Sequence, residues 1–359
     1  MDRRAVLAAA LGAAAGVAFV GCGLTPAGAQ GQAQAQPRRR EVSLNGRRIT
    51  TIDAHAHCQV PEAMALMGMK VATPKLVVAE DRIRVMDEQG IDMEALSLNP
   101  IFWYKADPDQ ARQVVTLQNE KLAEICAAHP DRFVGMASVA LQHPQLAAEQ
   151  LEDGVKRLGL RGVLIGGSVN GEDLSDAKFH PFWAKAEELG TLVFIHPQGT
   201  AELNAGNRLK GNGVLDNTIG NPLETTIALS HLIFEGTLDR FPGLKILGAH
   251  GGGYLPSYAA RSDQACVTFP ERCNPAEPLK KKPSEYLKQL YYDSMVFTSE
   301  GLRHLIAEVG VSQLVLGTDY PFPWTSTSVE HVLNTPGLSD SDRASILGDT
   351  AAKLLRINA

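Results

Sequence analysis

Four apolar runs in this chain end in histidine or aspartate and are followed by residues that break regular structure. They are TIDAHAH (51–57), LVFIH (192–196), KILGAH (245–250) and LVLGTD (314–319). The Val, Leu and Ile content of each reads as a buried strand. Pro197, Gly251-Gly252-Gly253, and Pro321 with Pro323 prevent its continuation. His55, His57, His196, His250 and Asp319 therefore stand at strand ends. His55 and His57 are two residues apart, so an extended backbone turns both rings to the same side. Imidazoles and one carboxylate brought together form a site for Zn²⁺ or another divalent ion. The remaining six histidines do not cap an apolar run: His129, His143 and His180 precede proline, His231 and His304 fall in helical patterns, and His331 lies in a polar stretch.

Positioning five such residues requires a scaffold whose strands all end on one side. Apolar runs recur at 49–54, 92–98, 132–139, 160–166, 191–196, 244–249, 289–294 and 313–318. Amphipathic helical patterns separate most of them, at 81–89, 108–129, 144–158, 181–189, 222–241 and 299–309. Many begin at proline or an Asp/Ser cap and stop near glycine. Eight strands alternating with helices predict an α/β fold, a (β/α)8 barrel with the metal site at the C-terminal face of the strands. An open doubly wound sheet is the alternative, but no glycine-rich phosphate loop follows any strand. The longest insertions, 58–80 and 197–221, would overhang that face. Asp293 ends the seventh strand, where it can orient a ligand or the substrate. Phe322 and Trp103 follow strand ends and are candidate pocket walls, with aromatic core packing as the default reading.

The chain has 359 residues, 44% hydrophobic and 21% charged, as in soluble globular proteins. A net charge of −6 gives no electrostatic case for nucleic acid. Residues 1–29 read as a signal peptide of the twin-arginine type: Arg3-Arg4, an apolar segment to Val20, then Ala27-Gly28-Ala29. The apolar segment is too short and glycine-rich for a membrane span, so the expectation is periplasmic export. A lipid anchor at Cys22 is the second possibility. Residues 30–47 read as a linker and 48–359 as the barrel domain. Cys266 and Cys273 flank a loop-like segment and can form a disulfide outside the cytoplasm.

The chain also resembles the amidohydrolase superfamily, in the branch around aminocarboxymuconate-semialdehyde decarboxylase. The resembling segments are DAHAH, RIRVMDEQGIDMEALSL, HPDRFVGMASV, RGVLIGGSVNGEDL, FIHPQG, NPLETTIAL, FPGLKILGAHGGGYLP and GTDYPFP, spread over 49–357. The resemblance implies that His55, His57, His196 and Asp319 bind one metal per subunit, with His250 as acid/base beside it. It implies a homodimer, with Arg261 of one copy gripping the substrate carboxylate of the other. The fourth strand ends Ile165-Gly166-Gly167-Ser168, without the bridging lysine of binuclear relatives, which favours a single ion. Two departures concern the substrate. The first insertion lacks the family's carboxylate-binding arginine, leaving Lys75, Arg208 or Arg261, and Pro197 is followed by Gln198 instead of tryptophan. The activity implied is non-oxidative decarboxylation of a small unsaturated or aromatic carboxylic acid. Hydrolysis of an ester, lactone or amide at the same metal is the alternative.

Overall fold

The computed structural model describes residues 39–98, 101–199 and 205–357. The signal peptide and the first half of the linker expected from the sequence lie outside these residues. Eight parallel strands run in the order of the chain: Ile52–Cys58, Met93–Leu98, Phe133–Ala137, Gly162–Gly166, Leu192–His196, Lys245–Gly248, Leu290–Asp293 and Leu314–Val315. The eighth returns to the first through single bridges, Asp53 to Leu316 and Ala56 to Tyr320. Ala54 N–H donates to the Leu316 carbonyl (2.9 Å) and His57 N–H to that of Tyr320 (2.7 Å), which closes the barrel.

Side-chain alternation divides the strands between two apolar layers. Leu164, Phe194 and Leu247 point inward and fill the barrel with Ile52, Met93, Met136 and Val315. Val163, Ile165, Val193, Ile195 and Ile246 point outward, against the helices. The helices begin and end on local signals. Asp107 accepts the Gln110 N–H at the start of Pro108–Ala128, and Thr298 accepts that of Gly301 at the start of Ser299–Val309. Gly90 and Gly190 close Glu80–Gln89 and His180–Leu189 in the left-handed conformation.

The structure corrects the expected elements in three places. The first strand was placed at 49–54 but occupies Ile52–Cys58, so both histidines lie inside it. The linker was drawn to residue 47, yet Val42–Leu44 and Arg47–Ile49 form an antiparallel hairpin, tied to the barrel by Arg39 and Arg48 on Asp92. The helix expected over 222–241 is two, Asn221–Phe234 and Thr237–Arg240, divided at Gly236. Among the described residues no helix is long and apolar enough to cross a membrane.

Candidate metal centre

At the C-terminal ends of the strands, three imidazoles converge on one carboxylate. Asp319 Oδ1 lies 3.1 Å from His55 Nε2, 3.0 Å from His57 Nε2 and 3.9 Å from His196 Nε2. Its other oxygen is 3.6 Å from His250 Nε2. Ligand atoms of His55, His196, His250 and Asp319 all lie within 4.8 Å of one another. The Nε2 atom of His57 belongs to the same cluster, 3.1 Å from that of His55.

Buried partners fix which nitrogen of each ring faces the centre. His55 Nδ1 donates to Asp293 Oδ2 at 2.7 Å. His196 Nδ1 donates to the Pro197 carbonyl at 2.7 Å. Ser97 gives its own hydroxyl proton to the Ala56 carbonyl (3.0 Å), so it accepts from His57 Nδ1 (2.8 Å). All three rings thus turn Nε2 toward the centre, where it is the nitrogen available to an ion. Asp293 further accepts the backbone N–H of His250 (2.8 Å), Gly251 (2.9 Å) and Met295 (3.1 Å). His250 and Asp319 both have positive φ, 55° and 60°, a strained conformation that places their side chains over the barrel mouth.

The electrostatics favour positive charge at this centre. Burial opposes charge on His55, but Asp319 and Asp293 outweigh it and push the ring up to about 10. Burial drives His57 down to about 4, with the charge on His55 adding to the effect. Burial also holds His196 well below its usual range, helped by its histidine neighbours. Burial works against an ionised Asp319, yet the surrounding histidines keep it well below the usual carboxylate range. Without an ion, His55 carries the charge that balances this buried carboxylate, whose Oδ1 has no well-directed hydrogen bond. Inward-turned Nε2 atoms and this orphaned oxygen fit a divalent ion.

The fourth strand leaves no place for a second ligand of the kind lysine provides. A Cβ on Gly167 would lie 2.7 Å from Glu224 Cγ, so this buried carboxylate fills the position. Glu224 in turn accepts the N–H of Gln198 (3.2 Å) and of Gly199 (2.8 Å), fixing the turn after His196.

The other expected residues divide. Phe322 lines a 130 Å³ chamber with His196, His250 and Asp319. Trp103, expected on the pocket wall, is instead buried, its indole donating to Gln118 at 2.9 Å, and it lines neither this chamber nor a 760 Å³ one that adjoins it at His250. Arg261, Lys75 and Arg208 are exposed and also line neither. Cys266 and Cys273 form a disulfide.

The sequence reading overlooked several supports of the site. Asp53 accepts the His55 N–H (2.9 Å) and the Thr318 hydroxyl, tying the first strand to the eighth. Burial and the nearby Glu94 push it up to about 7. Its alternation with His55 and His57 was a usable signal. Arg82, also buried, pairs with Glu94 (2.6 Å) and donates to the His57 carbonyl (2.7 Å), and no local pattern distinguishes it from a surface arginine.

Residues 52–357 match the amidohydrolase family profile. The chain is 32% identical to 2-amino-3-carboxymuconate-6-semialdehyde decarboxylase of Dictyostelium discoideum, over 77% of this chain and 76% of that one. It is 31% identical to gamma-resorcylate decarboxylase of a Polaromonas species, over 79% and 89%. Among solved structures, 5-carboxyvanillate decarboxylase of Sphingomonas paucimobilis aligns with a TM-score of 0.79 at 25% identity, covering 86% of this chain and 99% of that one. The Polaromonas dihydroxybenzoic acid decarboxylase, solved with manganese and 2-nitroresorcinol, aligns with a TM-score of 0.76 at 28% identity, covering 87% and 98%. With the barrel, the histidine–aspartate centre and these likenesses in agreement, the chain belongs to the amidohydrolase family, as an enzyme of its decarboxylase branch.

Proposed function

We propose that the chain removes CO₂ from a small aromatic or unsaturated carboxylic acid, using one divalent ion held by His55, His57, His196 and Asp319. The observation that carries this reading is the inward convergence of three Nε2 atoms on Asp319, with His250 beside them at the chamber wall. A divalent ion there supplies Lewis-acid polarisation of a substrate oxygen. Zinc suits the ligand set, and the manganese in related structures supports a divalent ion more broadly.

His250 is the proton donor in this reading. Its ring reaches the chamber from a strained turn, and its backbone is held by Asp293 rather than by the metal ligands alone. The protonated imidazole gives its proton to the substrate carbon bearing the carboxylate, the C–C bond to that carboxylate breaks, and its electron pair restores the substrate's own π system as CO₂ leaves. Solvent then reprotonates His250. Phe322 presents an apolar face that keeps water from the reacting carbon.

The test uses a carboxyl-labelled hydroxybenzoate and the metal-loaded protein. Labelled CO₂ is expected in step with the decarboxylated product. Hydrolysis of lactones or esters with no CO₂ from any acid would overturn the reading. His250→Ala should lose activity by at least about a hundredfold while retaining one ion per chain by metal analysis. Asp319→Asn should lose ion and activity together. Two tightly bound ions in the wild type would refute the single-metal assignment.

Export completes the proposal, supported by Arg3-Arg4, Ala27-Gly28-Ala29 and a disulfide suited to an oxidising compartment. Cell fractionation should find the chain in the periplasm with an N-terminus near Gln30. An intact Met1 on wholly cytoplasmic protein would exclude export.

A further inference from the structure

Two cavities meet at His250. The inner chamber, 130 Å³, contains Asp319, His196, Phe322, Gln198 and Asn221. That is well below the roughly 300–1,000 Å³ of an ordinary small-molecule site. The outer chamber, 760 Å³, opens between helices Leu255–Thr268 and Ser299–Val309 and is walled by Pro256, Met295, Val296, Phe297, Leu305 and Trp324. His250 and Asn217 line both, so the chambers meet at the proposed proton donor.

We infer that the substrate carries a single carboxylate and, on its ring, an apolar substituent that occupies the outer chamber. The inference rests on the decarboxylase reading. Among the described residues, no lysine, arginine, aspartate or glutamate lines the outer chamber. A second carboxylate placed there would give up its water with no lysine or arginine to meet it, only the imidazoles of His250 and His304. An apolar group instead gains about fourfold in affinity for each methylene it buries. Phe297 and Trp324 stand 6.3 Å apart between ring centroids and offer an aromatic wall for such a group. In the inner chamber, the amides of Gln198, Asn217 and Asn221 suit neutral polar substituents such as ring hydroxyls. Gln198 stands where the resembling decarboxylase has tryptophan, so this polarity belongs to the present chain.

Trp324 provides the readout, since it is 39% exposed while Trp103 and Trp183 are buried. The metal-loaded protein is titrated with hydroxybenzoates whose ring carries hydrogen, methyl, propyl or a second carboxylate, following indole fluorescence, with Trp324→Phe as the signal control. Dissociation constants should fall about fourfold per methylene, and the dicarboxylate should bind at least tenfold more weakly than the propyl acid. Phe297→Arg, at a 54% exposed position that should tolerate the change, should raise dicarboxylate affinity by more than tenfold and flatten the alkyl series. Equal affinities along the alkyl series, or a wild-type preference for the dicarboxylate, overturn the inference. CO₂ release is scored in parallel: ligands bound with the expected preference but never decarboxylated would leave the chamber's selectivity standing and remove the decarboxylase reading.

Discussion

Asp293 joins the two halves of the centre. One oxygen holds both the His55 ring and the His250 backbone, and the other holds the N–H groups of Gly251 and Met295. Every partner donates, so the carboxylate serves on both sides where an amide cannot. Burial alone would favour its neutral form, but the hydrogen bond and charge of His55 lead the effects that keep it ionised, below the usual carboxylate range. Asp293→Asn must turn an NH₂ toward donors on one side, leaving a buried clash of hydrogens. Metal affinity should fall about 10–100-fold, as for other groups that orient a metal-bound histidine, measured by competition with a chelator. An unchanged affinity would remove Asp293 from any role in metal binding. Its position at a strand end was visible in the sequence, whereas Ser97 was not. Ser97 reaches His57 because the two are paired across adjacent strands, and that register appears in no residue spacing.

At the scale of elements, the turn after the sixth strand determines where His250 sits. Gly253 has φ +66°, and a Cβ there would lie 2.1 Å from the Pro222 carbonyl oxygen. The turn therefore packs directly against the start of helix Asn221–Phe234, with the Thr226 hydroxyl accepting the Tyr254 N–H at 2.7 Å. Gly253→Ala should destabilise the protein by about 2 kcal/mol or more, from left-handed strain plus a backbone clash. Thermal unfolding should register this as a lower Tm, and an unaltered Tm would show that the turn can shift freely. The glycine run itself was legible as a place of close backbone approach. Helix Leu255–Thr268, which follows it, was not. Its Tyr258, Ala260, Ala265 and Val267 are exposed, so apolar residues mark no single face and the periodic signal is blurred. The barrel strands were easier to read, since burial on both sides makes them continuous apolar runs.

For the whole molecule, barrel closure could be counted from eight strands, but a surface able to meet a second copy depends on exposure, which a sequence does not display. Helix Leu255–Thr268 turns Tyr258, Arg261 and Ala265 outward at helical spacing, all exposed, with Phe269 just beyond at 49% exposure. Exposed tyrosine, phenylalanine and arginine together are the residue types that concentrate energy in protein interfaces. Arg261 lines neither chamber of its own chain among the described residues, which directs attention to the site of a neighbouring copy. We propose such a homodimer, in which Arg261 meets the single carboxylate of the acid in the partner's site. The expected result is a dimer by sedimentation, with Arg261→Ala remaining dimeric and metal-loaded but losing at least about tenfold in kcat/KM, as for a desolvated charge-assisted contact. Arg261→Lys should recover only part of that loss, because one ammonium cannot reproduce the two-pronged guanidinium contact. Mixing Arg261→Ala with His250→Ala provides the decisive measurement. If the arginine works across the interface, heterodimers contain one site with both His250 and a neighbour's Arg261, and activity should return as the subunits exchange. No recovery after proven exchange, or an active monomer, would confine Arg261 to its own chain and exclude the shared site.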